Sequence, residues 1–382
     1  MAGKDKGRES RLRVALIIGQ LTYGGAESQL YELARRLARR GGGPGGASDG
    51  SCEVVVYCLS SKDEPYGSRL RQAGVRVCTF TSRGSFDFLR VVALARALRR
   101  DRIELVHAFL FLASAYAYLA TRLAAGIALV TSARNCKPEP HPLRRLVMRR
   151  AFAASRSIIC NSQEMERYAV ANYGAPVSLT RVVYNGVDCE RFSRPRVVHE
   201  GLHIGTVGRI EKQKNMDLFL SAAEGFLREH PNTRFTVVGD GSLREHYIEE
   251  VRRRGLCDRV TLPGTTADVP EFLAGLDQFW LTSDYEGTPN VILEAMAAAV
   301  PVVATRVGGT GEVVEDGRTG MLVDAGDTAG VIRAALRLAA DGVLAESLGA
   351  AAREAARVRF SLDAMVAATL AVYAEALAAG AA

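Results

Sequence analysis

Short apolar runs rich in β-branched residues alternate with helical stretches along nearly the whole chain, and this rhythm leaves few architectures open. In the first half the expected strands are Val14–Ile18, Glu53–Cys58, Val75–Phe80, Leu105–Ala108, Ala128–Ser132, Ser157–Cys160 and Arg181–Tyr184. Helical patterns such as Ala26–Arg39, Asp87–Arg100 and Leu143–Ala154 separate them. The second half repeats the pattern, with strands expected at His203–Val207, Arg234–Val238, Arg259–Leu262, Gln278–Leu281, Val300–Ala304 and Met321–Val323. Helices are expected between them, including Met216–Glu229 and Asn290–Ala298. Strand followed by helix, many times over, predicts an α/β fold with parallel sheets covered on both faces. At 382 residues, 48% of them apolar, the chain has enough core material for two domains. The polar, proline-interrupted stretch Ser193-Arg194-Pro195-Arg196 puts the boundary between Arg191 and Gly201. That gives an N-terminal domain over 1–195 and a C-terminal one over 196–382, with the last helix able to pack back on the first domain. The Gly-rich tract Gly41–Gly50 reads as a surface loop without assigned function.

The segment from Ser283 to Met296, SDYEGTPNVILEAM, carries the clearest chemistry. Thr288 is a good N-cap and Pro289 suits the first helical position, so a helix should open there. Its first amides, around Asn290 and Val291, and the positive end of its dipole make an anion site. Glu286 and Gly287 lie just before it, and Glu294 about two turns further on. Anion-binding amides flanked by two carboxylates suit a nucleotide sugar. The bland alternatives are a dipole partner at Glu286 and an exposed helix charge at Glu294. Glu294, however, stands among Ile292, Leu293, Ala295 and Met296, where a carboxylate needs a partner.

Other strand ends offer further candidates. Gly24-Gly25, after the first strand, would let backbone approach a ligand, or would simply form a tight turn. Arg209 and Lys214 follow strand His203–Val207, where open α/β sheets bind ligands; two solvated surface charges are the alternative. Gly239-Asp240-Gly241 ends another strand and could border a nucleoside or be a turn; Asp268 with Val269 reads locally as a turn. Gly308-Gly309 with Glu312 forms another loop, and His107 ends strand Leu105–Ala108.

Taken in order, Tyr23-Gly24-Gly25-Ala26-Glu27, Tyr184-Asn185-Gly186-Val187-Asp188, Gly208-Arg209-Ile210 through Lys214-Asn215, Val238-Gly239-Asp240-Gly241, the Glu286/Glu294 segment and Gly308-Gly309 through Glu312-Val313-Val314 resemble glycosyltransferase family 4, including its E-x7-E signature. The resemblance runs from about residue 11 to about residue 360. It implies a GT-B fold, two doubly wound Rossmann-like domains facing across a cleft, and retaining transfer from a nucleotide-diphosphate sugar, UDP being the commonest. It implies that Arg209 and Lys214 neutralise the diphosphate, that Glu286 holds the transferred sugar and Glu294 the ribose. Gly25 would approach the diphosphate or the acceptor. Family members often carry His-x-His where this chain has His107-Ala108-Phe109, so His107 contacts the donor sugar or is a satisfied strand-end histidine. Ala299 and Gly311 depart from frequent glycine and proline. The resemblance implies front-face attack, with the departing phosphate oxygen taking the acceptor proton. No D-x-D triplet occurs, and metal-independent catalysis without a cofactor is expected. A GT-B-type sugar-nucleotide epimerase and a non-catalytic nucleotide-sugar-binding protein are the competing readings.

The net charge of +7 leaves nucleic acid, anionic lipid and phosphorylated ligands open as partners. No zinc-finger spacing or RNA-binding aromatic motif supports nucleic acid. The seven scattered cysteines form no C-x-x-C pair, which argues against a disulfide framework or zinc site and fits a reducing cytoplasm. The apolar stretches at Ala108–Ala120 and Ala364–Ala382 are too short or too weakly apolar to span a bilayer. The basic stretch Leu143–Phe152 could rest on anionic lipid at the inner face of the cell membrane, bringing the protein to a lipid-linked or glycan acceptor; an ordinary solvated helix is the alternative.

Overall fold

The computed structural model describes residues 11–40, 52–81, 87–134 and 141–379. The Gly41–Gly50 loop and Cys136 lie outside them. The chain forms two compact units. The first takes Met1–Asn161, Met165–Val183 and Met365–Ala382; the second takes Ser162–Glu164 and Tyr184–Ala364.

The first unit holds strands β1 (Leu12–Ile18), β2 (Cys52–Cys58), β3 (Arg76–Thr79), β4 (Leu105–Phe109), β5 (Ala128–Ala133), β6 (Ser157–Cys160) and β7 (Thr180–Val182). They form one seven-stranded sheet in the order β3-β2-β1-β4-β5-β6-β7, every pair parallel. Val14 to Ile18 are completely buried, as a central parallel strand covered on both faces requires. The second unit holds β8 (His203–Val207), β9 (Arg234–Val238), β10 (Val260–Gly264), β11 (Gln278–Leu281), β12 (Val302–Thr305) and β13 (Met321–Val323). Their order is β10-β9-β8-β11-β12-β13, again all parallel. Every expected strand is present, with ends shifted by a few residues.

In the second core, Trp280 of β11 is fully buried and meets Phe219, Phe226 and Phe235 edge-on at 5.6, 5.9 and 5.4 Å. Its indole N–H donates to Gln278 Oε1 at 3.0 Å, and Gln278 Nε2 donates to the Ala335 carbonyl at 2.9 Å. A buried tryptophan donor thus finds its acceptor without water.

The hand-over to the second unit comes at Tyr184, ahead of the Arg191–Gly201 stretch. Tyr184 stacks edge-on to Phe360 at 5.5 Å, and Val187 exchanges backbone hydrogen bonds with Phe360 and Leu362. These contacts commit the Tyr184-Asn185-Gly186-Val187 turn to the second unit before the polar stretch begins. Residues from Met365 onward count with the first unit. There Glu375 accepts from Arg181 at 2.8 Å and the Ala376 carbonyl from Arg156 at 3.0 Å. Among the described residues no helix is long and apolar enough to cross a membrane.

Candidate functional site

In the second unit the chain runs from β8 outward through β9 and β10, then returns to the other side of β8 with β11. The sheet order therefore reverses between β8 and β11, and the loops at the carboxyl ends of these strands part there. Ligands of open α/β sheets bind at such switch points. The loop after β8 supplies Gly208, Arg209 and a 3₁₀ turn, Lys212–Lys214; the loop after β11 supplies Thr282 to Pro289 and runs into the helix Asn290–Ala297.

The two loops are fastened to each other. The Asp284 amide donates to the Gln213 carbonyl at 2.9 Å, and Thr282 Oγ1 donates to the Lys214 carbonyl at 3.1 Å. Asn215, at φ +44°, a left-handed conformation that asparagine tolerates, donates from Nδ2 to Asp284 Oδ1 at 2.7 Å. Its own Oδ1 caps the next helix by accepting from the Leu218 amide. The fastening converges on Glu286, which is 7% exposed. Lys214 Nζ and Ser283 Oγ each donate to Glu286 Oε1 at 2.7 Å. Gln213 Nε2 reaches Oε2 at 3.3 Å and the Tyr285 carbonyl at 2.8 Å. The buried carboxylate is therefore paired and hydrogen-bonded, as burial of a charge demands. Lys214 keeps two further N–H donors beyond the one it gives to Glu286. Arg209 is exposed and makes no side-chain hydrogen bond or ion pair with the described residues.

The helix begins one residue later than expected. Pro289, with ψ 112°, is extended and serves as N-cap; no side chain caps this helix. Thr288 is buried instead, its carbonyl accepting from Asn185 Nδ2 at 3.0 Å. The same Nδ2 donates to Asn290 Oδ1 at 2.7 Å, so Asn185 clamps the loop to the helix start. Further along, Glu294 is partly exposed, yet its carboxyl sits among protein atoms. Burial pushes its pKa up to about 7, against a lowering from the Arg191 charge. No side chain or amide of the described residues hydrogen-bonds that carboxyl. Among the described residues the hydrogen-bond partner expected for it is missing.

Glycines set how closely the neighbouring loops approach. Gly308 has φ +50°, and a Cβ there would lie 1.8 Å from the Glu286 carbonyl oxygen. The Gly309 amide donates to the Gly287 carbonyl at 2.8 Å. Gly308→Ala is expected to cost at least about 1–3 kcal/mol from backbone strain alone, and to displace Glu286. Thermal denaturation together with nucleotide-sugar titration measures both effects; unchanged sugar affinity would detach this glycine from the site. Gly239, at φ +146°, leaves room for the Gly208 carbonyl 1.8 Å from where its Cβ would stand. Asp240 is exposed; its carbonyl accepts from the Ile210 amide at 2.9 Å and its Oδ1 from the Gly241 amide at 2.8 Å. These residues hold the β9 loop against the β8 loop. Asp268 caps the helix Val269–Ala274 by accepting from the Glu271 amide. Glu312 accepts from the Gln163 and Glu164 amides at 2.7 and 2.8 Å and from the Tyr184 hydroxyl at 3.0 Å, a structural engagement.

Arg209, Lys214, Gly239, Asp240, Glu286 and the stretch through Glu294 thus all belong to the second unit, whereas Gly24, Gly25 and His107 belong to the first. In the first unit the sheet order reverses between β1 and β4. Gly25 opens the helix Gly25–Arg40, and a Cβ on Gly24 would meet Glu27 Oε2 at 2.2 Å. Of the two readings of His107 on β4, its surroundings favour the satisfied histidine over contact with a donor sugar. Its ring is fully buried, with Nδ1 2.8 Å from the Tyr373 hydroxyl and Nε2 2.6 Å from Ser132 Oγ. Burial, helped by the Arg134 charge, holds its pKa well below the usual imidazole range. Both ring nitrogens are spent on neutral hydroxyls, which makes it a satisfied core histidine. Phe109, two residues on, is buried beneath the Arg134 guanidinium at 4.6 Å.

Sequence reasoning overlooked Gln213, Ser283, Asn185 and Arg191. The first two adjoin or nearly adjoin residues already singled out, and Asn185 stands inside a quoted motif. Arg191 acts on Glu294 through space and left no local signal. Among the described residues, no group of three or more His, Cys, Asp or Glu side chains is placed to hold a metal ion.

Arg209, Lys214 and Glu286 thus stand on the loops after β8 and β11, at the switch point of a doubly wound sheet, and Glu294 on the helix that follows. Known proteins resemble the chain in both sequence and fold. Residues 23–191 match the model for Glycosyltransferase Family 4, and residues 201–341 match that for Glycosyl transferases group 1. The two matches follow one another along the chain, and its fold class is GT-B. It is 30% identical over 217 residues to the Vi polysaccharide biosynthesis protein VipC/TviE of Salmonella typhi, covering 53% of this chain and 37% of that one. It is 27% identical over 282 residues to the UDP-Gal:alpha-D-GlcNAc-diphosphoundecaprenol alpha-1,3-galactosyltransferase of Escherichia coli, covering 68% and 72%. The chain spans about half the length of the curated relatives it first matches. The fold is that of Anabaena HepE, crystallised with UDP-glucose, with TM-score 0.81 at 22% identity over 94% of this chain and 98% of HepE.

Proposed function

We propose that this protein is a retaining glycosyltransferase that moves a sugar from a nucleotide-diphosphate sugar, a UDP-sugar first, to a hydroxyl of a surface-polysaccharide, glycolipid or related glycan acceptor. The observation that carries the proposal is the Lys214–Glu286 pair, 2.7 Å across the switch point between β8 and β11. Arg209 and Lys214 would take the diphosphate, with the amides at the start of the Asn290–Ala297 helix. Glu286, held rigid by Lys214, Ser283 and Gln213, would accept from the sugar hydroxyls, and Glu294 from the ribose. In the reaction the bond from the anomeric carbon to the phosphate oxygen breaks and its electron pair stays on that oxygen. Fixed cations stabilise the charge that builds there. The acceptor oxygen forms its bond on the same face, and its proton passes to the departing phosphate oxygen. No protein nucleophile and no metal is needed in this scheme. That HepE was crystallised with UDP-glucose and that the Escherichia coli relative uses UDP-Gal both favour UDP. We also place the work at the cytoplasmic face of a membrane, where a lipid-linked acceptor would be held.

A panel of nucleotide sugars, scored by nucleoside diphosphate released and by the anomeric configuration of the product, tests the reading. One donor is expected to turn over with its configuration kept, chelator present or absent. Inversion would remove the retaining mechanism, and loss of activity with chelator the metal independence. Nucleotide binding without turnover would leave a binding protein, and turnover without acceptor to a new nucleotide sugar an epimerase. The sealed His107 and the phenylalanine at position 109 give the binding-protein alternative its one specific support.

A further inference from the structure

We infer that a cavity at the amino ends of β8, β9 and β10 binds the phosphate monoester of a small polyol. It lies at the opposite end of the second sheet from the Lys214–Glu286 pair, one strand length or roughly 17 Å away, and takes no part in the transfer reading. The cavity measures about 490 Å³. It is lined by His199, Glu200 and Gly201 from the stretch before β8, by Asn232 and Arg234 where β9 begins, and by Arg259 just before β10. Sheet register creates its charge. Phe235 pairs with Val260 along β9 and β10, so Arg234 and Arg259, one residue earlier, stand side by side; the Phe235 amide donates to the Arg259 carbonyl at 2.7 Å. Like charges so placed repel. Arg234 makes no side-chain hydrogen bond or ion pair with the described residues, and the Arg259 guanidinium reaches Asn232 Oδ1 at 3.4 Å.

In the first sheet the register neighbours Arg13 and Glu53 bind each other at 3.2 Å, so a strand-start arginine there has its counter-charge across the ladder. Arg234 has another arginine instead, and on its other side it pairs in register with His203 of β8. Burial and the Arg234 charge hold the His203 pKa below the usual imidazole range, against a raise from its bond to the Gly275 carbonyl. The polar groups further along this face are already engaged: His203 Nε2 lies 2.9 Å from Thr236 Oγ1, and Thr236 Oγ1 3.3 Å from Thr261 Oγ1. The wall opposite is fastened in place. The Val197 amide donates to the Ala274 carbonyl at 3.0 Å, and the His199 ring lies between the Gly201 and Gly275 carbonyls at 3.2 and 3.0 Å. Two guanidiniums opening on one preformed cavity offer the forked donors that suit a phosphate. The space exceeds what a bare phosphate fills, since a water molecule takes about 30 Å³. Asn232 and Glu200 add an amide and a carboxylate as partners for hydroxyls. Glu200 repels an anion, which places the phosphate at the arginine end and the hydroxyls at the other. Among the described residues that line the cavity there is no Phe, Tyr or Trp, so nothing there stacks a nucleobase.

Isothermal titration of the full chain tests this, run in an R209A/K214A background that strips the phosphate contacts proposed for the donor. Glycerol phosphate and ribose phosphate are expected to bind, inorganic phosphate several-fold more weakly, and glycerol and ribose not measurably. Adding R234A/R259A should weaken both esters at least about tenfold, as the loss of hydrogen bonds to a charged group does. R234K/R259K keeps the charge and loses the forks, and should bind a few-fold less. R234E restores across β9 and β10 the charge pairing that Arg13 makes with Glu53; it should abolish ester binding and melt no lower than its parent, which separates lost binding from lost fold. R228A/R337A, at two exposed arginines of the same unit, should leave binding unchanged. No ester binding, ester binding that survives R234A/R259A, or an equal loss in R228A/R337A would overturn the inference. Inorganic phosphate bound as tightly as the esters would overturn the polyol. Nucleotide-sugar turnover by R234A/R259A alone, with no ester present, is expected to match the wild type. A protein that binds the esters but whose wild type turns over no donor would sink the transfer reading alone.

Discussion

Lys214→Ala is expected to lower kcat/KM for the preferred nucleotide sugar by about two to three orders of magnitude, the usual cost of removing one group that stabilises developing charge. Glu286→Gln should fall by a similar factor, but for a different reason, and the difference is measurable. Lys214 has donors for both the carboxylate and the diphosphate, so its loss should weaken UDP and UDP-sugar alike. Glu286 would meet only the sugar, so Glu286→Gln should bind UDP nearly as the wild type does while losing affinity for the UDP-sugar. The pair is also coupled. Removing Lys214 leaves Glu286 buried with, among the described residues, Ser283 and Gln213 as its side-chain partners, and stripping one member from such a pair costs about 3–5 kcal/mol when burial is complete, less here because Lys214 is partly exposed. The double variant should therefore be more stable than Lys214→Ala alone, with a coupling energy of about 1–3 kcal/mol. Isothermal titration with UDP and with the UDP-sugar, beside chemical denaturation, reads all of this. Equal loss of both ligands in Glu286→Gln would show that this carboxylate does not distinguish sugar from nucleotide.

The same site shows what was legible in the sequence. Every strand could be read, because a strand buried on both faces is a run of Val, Ile, Leu and Ala, and buried strands alternated regularly with helices. Arg209, Lys214, Glu286 and Glu294 could be singled out because each lies at a strand end or a helix start, where local sequence marks position. What could not be read was how side chains reach across sequence. Gln213 and Glu286 lie far apart in the chain, and their contact exists only because β8 and β11 are neighbours at the switch point. His107 stayed between two readings for the same reason: Tyr373, which takes one of its ring nitrogens, comes from the last helix, far beyond any local pattern. The helix start was misplaced by one residue because threonine capping and proline at the first helical position are preferences. The Asn185 clamp on Thr288 decided the matter.

Glu294→Gln is expected to make the protein more stable in mild alkali and a poorer binder of its donor. The carboxyl pKa stands at about 7 in the folded protein because burial disfavours the charge, and no hydrogen bond from the described residues repays it. In the unfolded chain a glutamate titrates near 4.3. Between these values the folded state holds a proton that the unfolded state has released, so stability falls as pH rises through this window. The penalty is complete above pH 7 or so. For a shift of this size, reduced because the residue is partly exposed, it is on the order of 1–3 kcal/mol. Glutamine, always neutral, escapes it. Denaturation curves at pH 5 and pH 8 should therefore converge for Glu294→Gln and separate for the wild type. Binding should run the other way. Two ribose hydroxyls would donate to the ionised carboxylate, a charge-assisted contact worth about 1.5–3 kcal/mol. Wild-type affinity for the nucleotide sugar, whose bridged diphosphate does not titrate in this range, should rise with pH through about 7. The variant should bind about ten- to a hundredfold more weakly at pH 8 and show no such rise. A wild type whose donor affinity is flat from pH 5 to pH 8 would mean that Glu294 does not meet the ribose. Its unpartnered charge would then stand without a use.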